Sequence, residues 1–190
     1  MSSKIDRRVK YTRMVLKNSL MQLLNEKPIS SISVKELCEF ADINRSTFYS
    51  HYADQYDLLT QIEEEIIQDM TETLTKYDYQ QDEETLRMTE KIFEYVAANS
   101  DICRTLLSEH GDSSFKKRVM KVAHEFTVKN WMATYSIEDS EIFEYGSLFA
   151  VSGSIHVLEK WLNNGLDKSP KEIAEIITTL AIKGLSSLRN

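Results

Sequence analysis

The sequence predicts an all-α fold, and three observations support that prediction. Only two prolines and five glycines occur in 190 residues, so few positions break a helix or require a turn. Leu, Glu, Lys, Ile and Met, which suit long helices, are plentiful. Apolar residues recur at intervals of three and four residues along most of the chain, as they do on one face of a helix. We expect about nine helices, arranged as an N-terminal three-helix head and a C-terminal helical body.

The predicted head comprises residues 1–53 and begins with a long helix. Apolar residues fall on one face from about residue 7 to residue 25, while lysines and arginines occupy the other face. The dipeptide Lys27-Pro28 ends this helix, because proline cannot continue the hydrogen-bonding pattern.

A helix-turn-helix is predicted next. Ser33 and Glu36 have the spacing of a capping box, which opens a short helix. Residues 41–43 are predicted to form a tight turn, and Asn44 is a good N-cap for a second short helix over residues 45–50. Two short helices joined by a three-residue turn are typical of this motif.

The remaining residues, 54–190, are predicted to form a regulatory and dimerisation body that begins with a connecting helix over residues 54–75. Ser169 and Glu172 form another capping box with Pro170 at the first helical position, which opens a final helix to about residue 188. Between them, helical periodicity predicts helices over residues 86–98, 100–109, 113–135 and 140–163.

The charge of the chain is unevenly distributed. The net charge is −7, yet the first 55 residues hold nine basic and six acidic side chains. A basic head on an acidic body is typical of a protein that binds a polyanion through its head. The alternative is an ordinary solvated surface.

Several classes of protein are disfavoured by composition. Cys38 and Cys103 are isolated in apolar segments, so we expect buried reduced thiols rather than a disulfide framework or a zinc site. The sequence contains no apolar run of the roughly 20 residues that a membrane span needs, and it begins with no secretory signal pattern. We therefore expect a cytoplasmic protein with no membrane association, no metal and no cofactor.

The second short helix has the composition of a recognition helix, in which small polar side chains allow close approach to base edges. Arg45 is the candidate for bidentate contact with guanine, and Thr47 for contact with a thymine methyl group or a phosphate. Tyr49, His51 and Tyr52 are expected to position phosphates. The predicted DNA-binding residues are Ser33, Lys35, Asn44, Arg45, Ser46, Thr47, Tyr49, His51, Tyr52 and Gln55. The alternative is an ordinary surface helix with aromatic packing.

The stretch from Ile32 to Tyr52, followed by Asp57-Leu58-Leu59, resembles the signature of the TetR family of transcription regulators. The apolar spacing, the turn and the Ser-Thr-Phe-Tyr core of residues 46–49 all agree with that signature. The resemblance implies a DNA-binding head, a regulatory body and a homodimer that binds a palindromic double-stranded operator. It also implies phosphate contacts at Tyr49 and His51. We therefore predict a repressor that a small-molecule effector releases from DNA.

Two residues depart from the family pattern. Asp42 replaces the usual turn glycine, although aspartate tolerates left-handed backbone conformations. Gln55 replaces the lysine that usually anchors a phosphate at the start of the fourth helix. The loss of that positive charge predicts weaker contact with the DNA backbone.

The body supplies the predicted dimer and ligand sites. Small residues in the penultimate helix permit another helix to approach closely. The final helix carries too much apolar surface for an exposed face, so we expect a second copy of the chain to cover it. The predicted dimer residues are Phe149, Gly153, Val157, Trp161, Ile173, Ile177, Leu180 and Gly184. By the resemblance, an effector pocket is expected near Tyr95, Phe126, Trp131, Tyr135, Phe149 and His156. The alternatives are a closed monomeric core and aromatic residues that serve only as packing.

An alternative function is that of a coactivator, which would keep the family fold but act through a protein partner, without a ligand of its own. Gln55 and the modest positive charge of the head are compatible with this alternative. An enzyme is disfavoured, because the sequence has no glycine-rich phosphate loop, GxSxG elbow or HExxH pair. The acidic run Glu63-Glu64-Glu65 is expected to be solvated charge, since neighbouring residues on a helix point in different directions.

Overall fold

The computed structural model describes residues 2–77, 82–111, 113–135 and 140–186, and the side chains of residues 7–77, 83–111, 114–128 and 144–184. Within these ranges the regular structure is helical, without a strand, which confirms the all-α prediction. None of the described helices has the length and apolarity needed to cross a membrane. The helices are α1 (Ser2–Leu24), α2 (Val34–Ala41), α3 (Arg45–Tyr49), α4 (Gln55–Leu74), α5 (Asp82–Ala98), α6 (Ser100–Leu106), α7 (Ser113–Tyr135), α8 (Ser140–Asn163) and α9 (Pro170–Ser186).

The chain forms two compact units. Unit 1 comprises Met1–Ile66 and Thr105–Phe115, and unit 2 comprises Ile67–Arg104 and Lys116–Asn190. The boundary after Ile66 falls inside α4, so one continuous helix contributes residues to both units.

Unit 1 is built around the apolar face of α1. Leu16, Leu20 and Leu24 of this helix are fully buried, as are Leu37 of α2 and Phe48 of α3. Fully burying such a side chain contributes roughly 1.5–3 kcal/mol to folding. This small core therefore holds the two short helices in place, although neither is long enough to be stable alone.

Local hydrogen bonds set the ends of α2 and α3. The Ser33 hydroxyl accepts from the Glu36 amide at 3.1 Å, which confirms the predicted cap of α2. The Asn44 side-chain oxygen Oδ1 accepts from the Ser46 amide at 2.9 Å and caps α3. Asp42, at the end of α2, has the left-handed conformation with φ of 50°. Its residue type therefore suits the turn, because aspartate tolerates this conformation better than most L-residues.

The prediction for Glu63 is wrong. Its side chain is only 2% exposed, whereas Glu64 and Glu65 are exposed. Glu63 follows Leu59 by four residues and precedes Ile66 by three, so it lies on the buried face of α4. The three consecutive glutamates were interpreted together as exposed charge, although Glu63 lies on the buried face of the helix and the other two lie on the exposed face.

Unit 2 has a core in which α9 packs against both α5 and α8. Trp161 is 2% exposed, and its ring centre lies 5.3 Å from that of Phe93. The Trp161 indole nitrogen donates to the Lys168 carbonyl at 2.9 Å, just before α9 begins. The Ser169 hydroxyl then caps α9 by accepting from the Glu172 amide at 3.3 Å, as predicted.

Candidate functional site

The helix-turn-helix presents a concave polar surface, which we call the head groove. Five predicted DNA-binding residues line it, although they come from three separate segments of the chain. The lining residues are Ser30, Ser31, Ile32, Ser33, Val34, Lys35, Arg45, Tyr49 and Gln55. The structure thus brings Ser33, Lys35, Arg45, Tyr49 and Gln55 onto one accessible surface.

Arg45 and Tyr49 are adjacent on successive turns of α3. The guanidinium carbon of Arg45 lies 6.0 Å from the centre of the Tyr49 ring. A hydrogen bond with the Tyr49 side chain raises the pKa of Arg45 above its usual value. Tyr49 is 50% exposed, so the pair can meet a ligand without a rearrangement of the core.

Lys35 brings positive charge to the head groove. Its ammonium group lies 3.9 Å from the Glu39 carboxylate, and both side chains are 69% exposed. An exposed pair at this distance contributes little to stability. A phosphate therefore competes easily with Glu39 for the lysine.

Asn44, Ser46 and Thr47 occupy the start of α3. The Asn44 side-chain oxygen accepts from both the amide and the hydroxyl of Ser46, each at 2.9 Å. Asn44 therefore has a structural role as a cap, while exposed Ser46 keeps lone pairs that can accept a hydrogen bond. Thr47 is half-buried.

Tyr52 does not have the exposure that a phosphate contact needs. It is 4% exposed, lies 5.6 Å from Phe48 between ring centres, and accepts a hydrogen bond from Arg13 at 3.2 Å. The prediction for Tyr52 is corrected to a packing role, because its ring completes the core around α3. His51, beside it, is half-buried.

A second surface, which we call the body groove, lies between α8 and α9. Its most exposed apolar side chains are Phe149, at 83%, and Leu180, at 69%. A side chain built at Gly153 or Gly184 would meet no atom within 4 Å, so the space beside both glycines is open. The lining residues are Tyr145, Gly146, Phe149, Ala150, Gly153, Ser154, Val157, Ile177, Leu180, Ala181 and Gly184.

Most of the predicted dimer residues share the body groove, but two do not. Trp161 and Ile173 are 2% and 5% exposed and lie in the core of unit 2. Their prediction is corrected, because both side chains pack inside this chain. Helical periodicity identifies an apolar face, but it cannot tell whether that face meets the same chain or another.

Unit 2 also contains an apolar cavity of about 190 Å³, which we call the body cavity. Phe126, one of the residues proposed for an effector pocket, lines it. The other lining residues come from α4, α5, α7, α8 and α9, and include Leu74, Met88, Phe93, Val119, Leu158 and Thr178.

The remaining predicted pocket residues do not line the body cavity. The Tyr95 hydroxyl donates to the Asp69 carboxylate at 2.9 Å on the exposed side of unit 2. Phe149 and His156 are exposed on α8, so these three predictions are corrected. The side chains of Trp131 and Tyr135 lie outside the described residues.

Residues 83–183 match the TetR C-terminal family model described as "Transcriptional regulator C-terminal region". The chain belongs to the TetR family. The members of this family are transcriptional regulators, which confirms the sequence-based resemblance and the prediction that the chain is not an enzyme.

A curated relative of this TetR-family chain is an uncharacterized HTH-type transcriptional regulator, YxbF, of Bacillus subtilis (strain 168). The two are 29% identical over 111 residues, which is 57% of this chain and 26% of the relative. The chain thus spans about a quarter of the length of the curated relative that it matches.

Solved structures share the fold of this TetR-family chain. A TetR transcriptional regulator from Streptococcus agalactiae 2603V has a TM-score of 0.68 and 23% identity, covering 95% of this chain and 99% of its own. The regulator FadR from Bacillus subtilis, in complex with stearoyl-CoA, has a TM-score of 0.63 and 13% identity, covering 90% and 98%. At these identities the likeness establishes the fold alone.

Sequence reasoning missed most of the body cavity of this TetR-family chain. It selected large aromatic residues, whereas the cavity is lined mainly by aliphatic residues, methionines and hydroxyl side chains. These residue types also fill ordinary helical cores. The sequence therefore carries no local signature of the cavity.

Proposed function

We propose that this TetR-family chain is a repressor that binds a palindromic operator as a homodimer and is released by a small-molecule effector. The observation that supports this best is the head groove, in which Ser33, Lys35, Arg45, Tyr49 and Gln55 share one surface on a helix-turn-helix. We propose residues 1–53 as the DNA-binding part and residues 54–190 as the regulatory part, with action in the cytoplasm, where the operator lies.

The proposed readout combines base and backbone contacts. Arg45 lies at the first position of α3, from which a guanidinium can reach a guanine edge with two hydrogen bonds. Ser46 and Thr47 lie beside it for further polar contacts. Lys35 and Tyr49 contact phosphates, so the affinity falls with increasing salt as counterions return to the DNA.

Dimerisation through the body groove is the second part of the proposal. The occupant that we propose is a second copy of the chain, because the groove combines exposed Phe149 and Leu180 with open space beside Gly153 and Gly184. Small residues let two copies of α8 and α9 approach closely. A two-fold dimer then carries two recognition helices to half-sites about 34–36 Å apart.

Effector release is the third part. The body cavity and the body groove share Ala150, Ser154, Ile177 and Ala181, so a ligand in the cavity packs against the same two helices that form the groove. Leu74 of α4 also lines the cavity, and α4 continues into unit 1. A ligand that binds one arrangement of these helices more tightly shifts the population toward it. Among proteins of this fold, FadR is seen with stearoyl-CoA.

The test is selection of DNA fragments from a random pool by the purified protein, followed by titrations over a salt series with the wild type, Arg45→Ala and Tyr49→Ala. We expect a palindromic site and weaker binding by both variants. Lys168→Ala serves as a matched control and should bind DNA like the wild type, because this exposed lysine lies in unit 2, outside the head groove.

Failure to enrich any sequence would contradict the proposal. It would favour the coactivator alternative, in which the chain acts through a protein partner without a ligand of its own. Sedimentation with candidate partners, with and without DNA, then identifies that partner.

A further inference from the structure

The body cavity has a chemical character that restricts the effector, an inference that rests on the proposed effector-controlled function. We propose that the cavity binds an uncharged, mainly apolar molecule with one hydrogen-bonding group, and that the Thr178 hydroxyl contacts that group.

The lining excludes a charged ligand. Among the described residues that line the cavity, none is charged. The cavity is lined by five helices, whose apolar contributions include Leu74 of α4, Met88 of α5, Phe126 of α7, Leu158 of α8 and Ile182 of α9. The only polar side-chain groups among the described lining residues are hydroxyls. An ion placed in such surroundings loses its hydration and gains no opposite charge in return. A neutral ligand avoids this cost.

Several cavity hydroxyls are already used within their own helices. Thr89 donates to the Thr85 carbonyl at 2.9 Å, and Thr127 donates to the Ala123 carbonyl at 2.8 Å. Ser154 likewise donates to the carbonyl four residues earlier, at 2.7 Å. These bonds satisfy the hydroxyl hydrogens and leave apolar methyl and methylene groups as the main surface for a ligand.

Thr178 differs from these residues. Its side chain is buried, with 7% of the residue exposed, and its hydroxyl oxygen has no hydrogen-bond partner in the described structure. A buried polar group without a partner is costly, and buried hydroxyls in native proteins are usually paired. Neighbouring atoms shield this oxygen in the structure, so the proposed contact requires a rotation of the Thr178 side chain about χ1 that turns the hydroxyl toward the cavity. A ligand that carries a hydroxyl, carbonyl or ether oxygen then supplies the missing partner, so ligands of this kind are favoured over wholly apolar ones of the same shape.

The volume sets the size of the group that enters. An apolar cavity of about 150 Å³ holds one benzene molecule, and the body cavity measures about 190 Å³. By proportion, it accepts a body of roughly eight non-hydrogen atoms. A larger molecule would have to place its remainder outside the cavity or expand it.

Four small probes of nearly equal size test the proposal by calorimetric titration of the full chain at pH 7. Ethylbenzene is wholly apolar, benzyl alcohol adds a hydroxyl, and benzylammonium and benzoate add a charge. We expect both neutral probes to bind, and the charged probes to bind at least about 100-fold more weakly. Binding by a charged probe as tight as that of benzyl alcohol would overturn the proposal, as would a lack of binding by all four.

The variant Thr178→Val keeps the shape of the side chain and removes the hydroxyl. We expect it to lower the affinity for benzyl alcohol about fivefold, which corresponds to the loss of one neutral hydrogen bond. The affinity for ethylbenzene should be unchanged. Thr179→Val makes the same change at the exposed neighbouring position and should alter neither affinity. Equal effects of Thr178→Val on both probes, or no effect, would overturn the role of Thr178.

These titrations contain no DNA, so they separate this inference from the proposed function. If the probes show the expected selectivity but the protein enriches no operator, the inference about the cavity stands and the repressor proposal fails. If an operator is found but the charged probes bind as well as the neutral ones, the repressor proposal stands and this inference fails.

Discussion

The Arg13 guanidinium donates a hydrogen bond to the Tyr52 hydroxyl at 3.2 Å, across 39 residues of sequence. The second arm of the same guanidinium donates to the Gln61 side chain at 2.9 Å. Arg13 thereby joins α1 to the segment between α3 and α4, through Tyr52, and to α4, through Gln61. The hydrogen bond with Tyr52 raises the pKa of Arg13 above its usual value.

This contact predicts that Tyr52 stabilises the head and does not read DNA. Tyr52→Phe removes only the hydroxyl, so we expect the free energy of unfolding to fall by about 1 kcal/mol, with the salt dependence of operator binding unchanged. Urea unfolding and DNA titrations measure the two effects. Tyr49→Phe is the matched comparison, with the opposite pattern expected: weaker DNA binding and a wild-type unfolding midpoint. A changed salt slope in Tyr52→Phe would contradict the packing role.

Gln55 offers a direct test of the backbone contacts. It lines the head groove with Arg45 and Tyr49, at the position where the family usually has a lysine. Gln55→Lys should strengthen operator binding and steepen the slope of log affinity against log salt by about 0.9, the value for one added phosphate contact. Gln22→Lys adds the same charge at an exposed position of α1 outside the groove. Equal slopes for the two variants would show that position 55 does not meet a phosphate.

The body groove predicts the site of dimerisation. Phe149→Glu and Leu180→Glu each place a charge where a large exposed apolar side chain now lies. Losing the burial of one such side chain costs about 2 kcal/mol, so each variant should weaken dimerisation at least 30-fold in sedimentation equilibrium. Leu148→Glu is the control, because Leu148 is 49% exposed on the same helix and does not line the groove. If Leu148→Glu were monomeric while Phe149→Glu and Leu180→Glu remained dimeric, the groove would not be the interface.

Helix caps predict how stability depends on pH. The Ser169 hydroxyl and amide hold the pKa of Glu172 below its ordinary value of 4.5, and the Ala53 amide and Gln61 side chain hold that of Asp57 below 3.8. Because the folded pKa values are lowered, both groups contribute stability above their unfolded values. That contribution is lost as the pH falls through the folded values.

We therefore expect the urea midpoint to decrease below about pH 5. Glu172→Gln should lower the midpoint at pH 7 and reduce its further decrease toward pH 3. Glu175→Gln removes a half-exposed carboxylate of α9 that does not cap the helix, and its curve should follow that of the wild type. A wild-type curve from Glu172→Gln would contradict the role of the cap.

The head was the most predictable part of the chain. Ser33 and Asn44 cap the expected helices, and Asp42 makes the expected left-handed turn, because these features depend on residues close together in sequence. Five of the ten predicted DNA-contacting residues line the head groove, namely Ser33, Lys35, Arg45, Tyr49 and Gln55, whereas Tyr52 is buried. Its burial depends on Phe48 and on Arg13 of α1, and the contact with Arg13 spans 39 residues of sequence, which local patterns do not reveal.

The helices, their caps and the family could be predicted from the sequence, since periodicity, capping and short motifs are local properties. How each apolar face is used depends on the tertiary structure. It placed Trp161 and Ile173 in the core, left Phe149 and Leu180 exposed, and buried Glu63. It also placed Thr178 in the lining of an apolar cavity and left the Thr178 hydroxyl oxygen without a hydrogen-bond partner in the described structure. The reason is physical: spacing along a helix defines which residues share a face, whereas the neighbour that covers that face comes from distant parts of the chain.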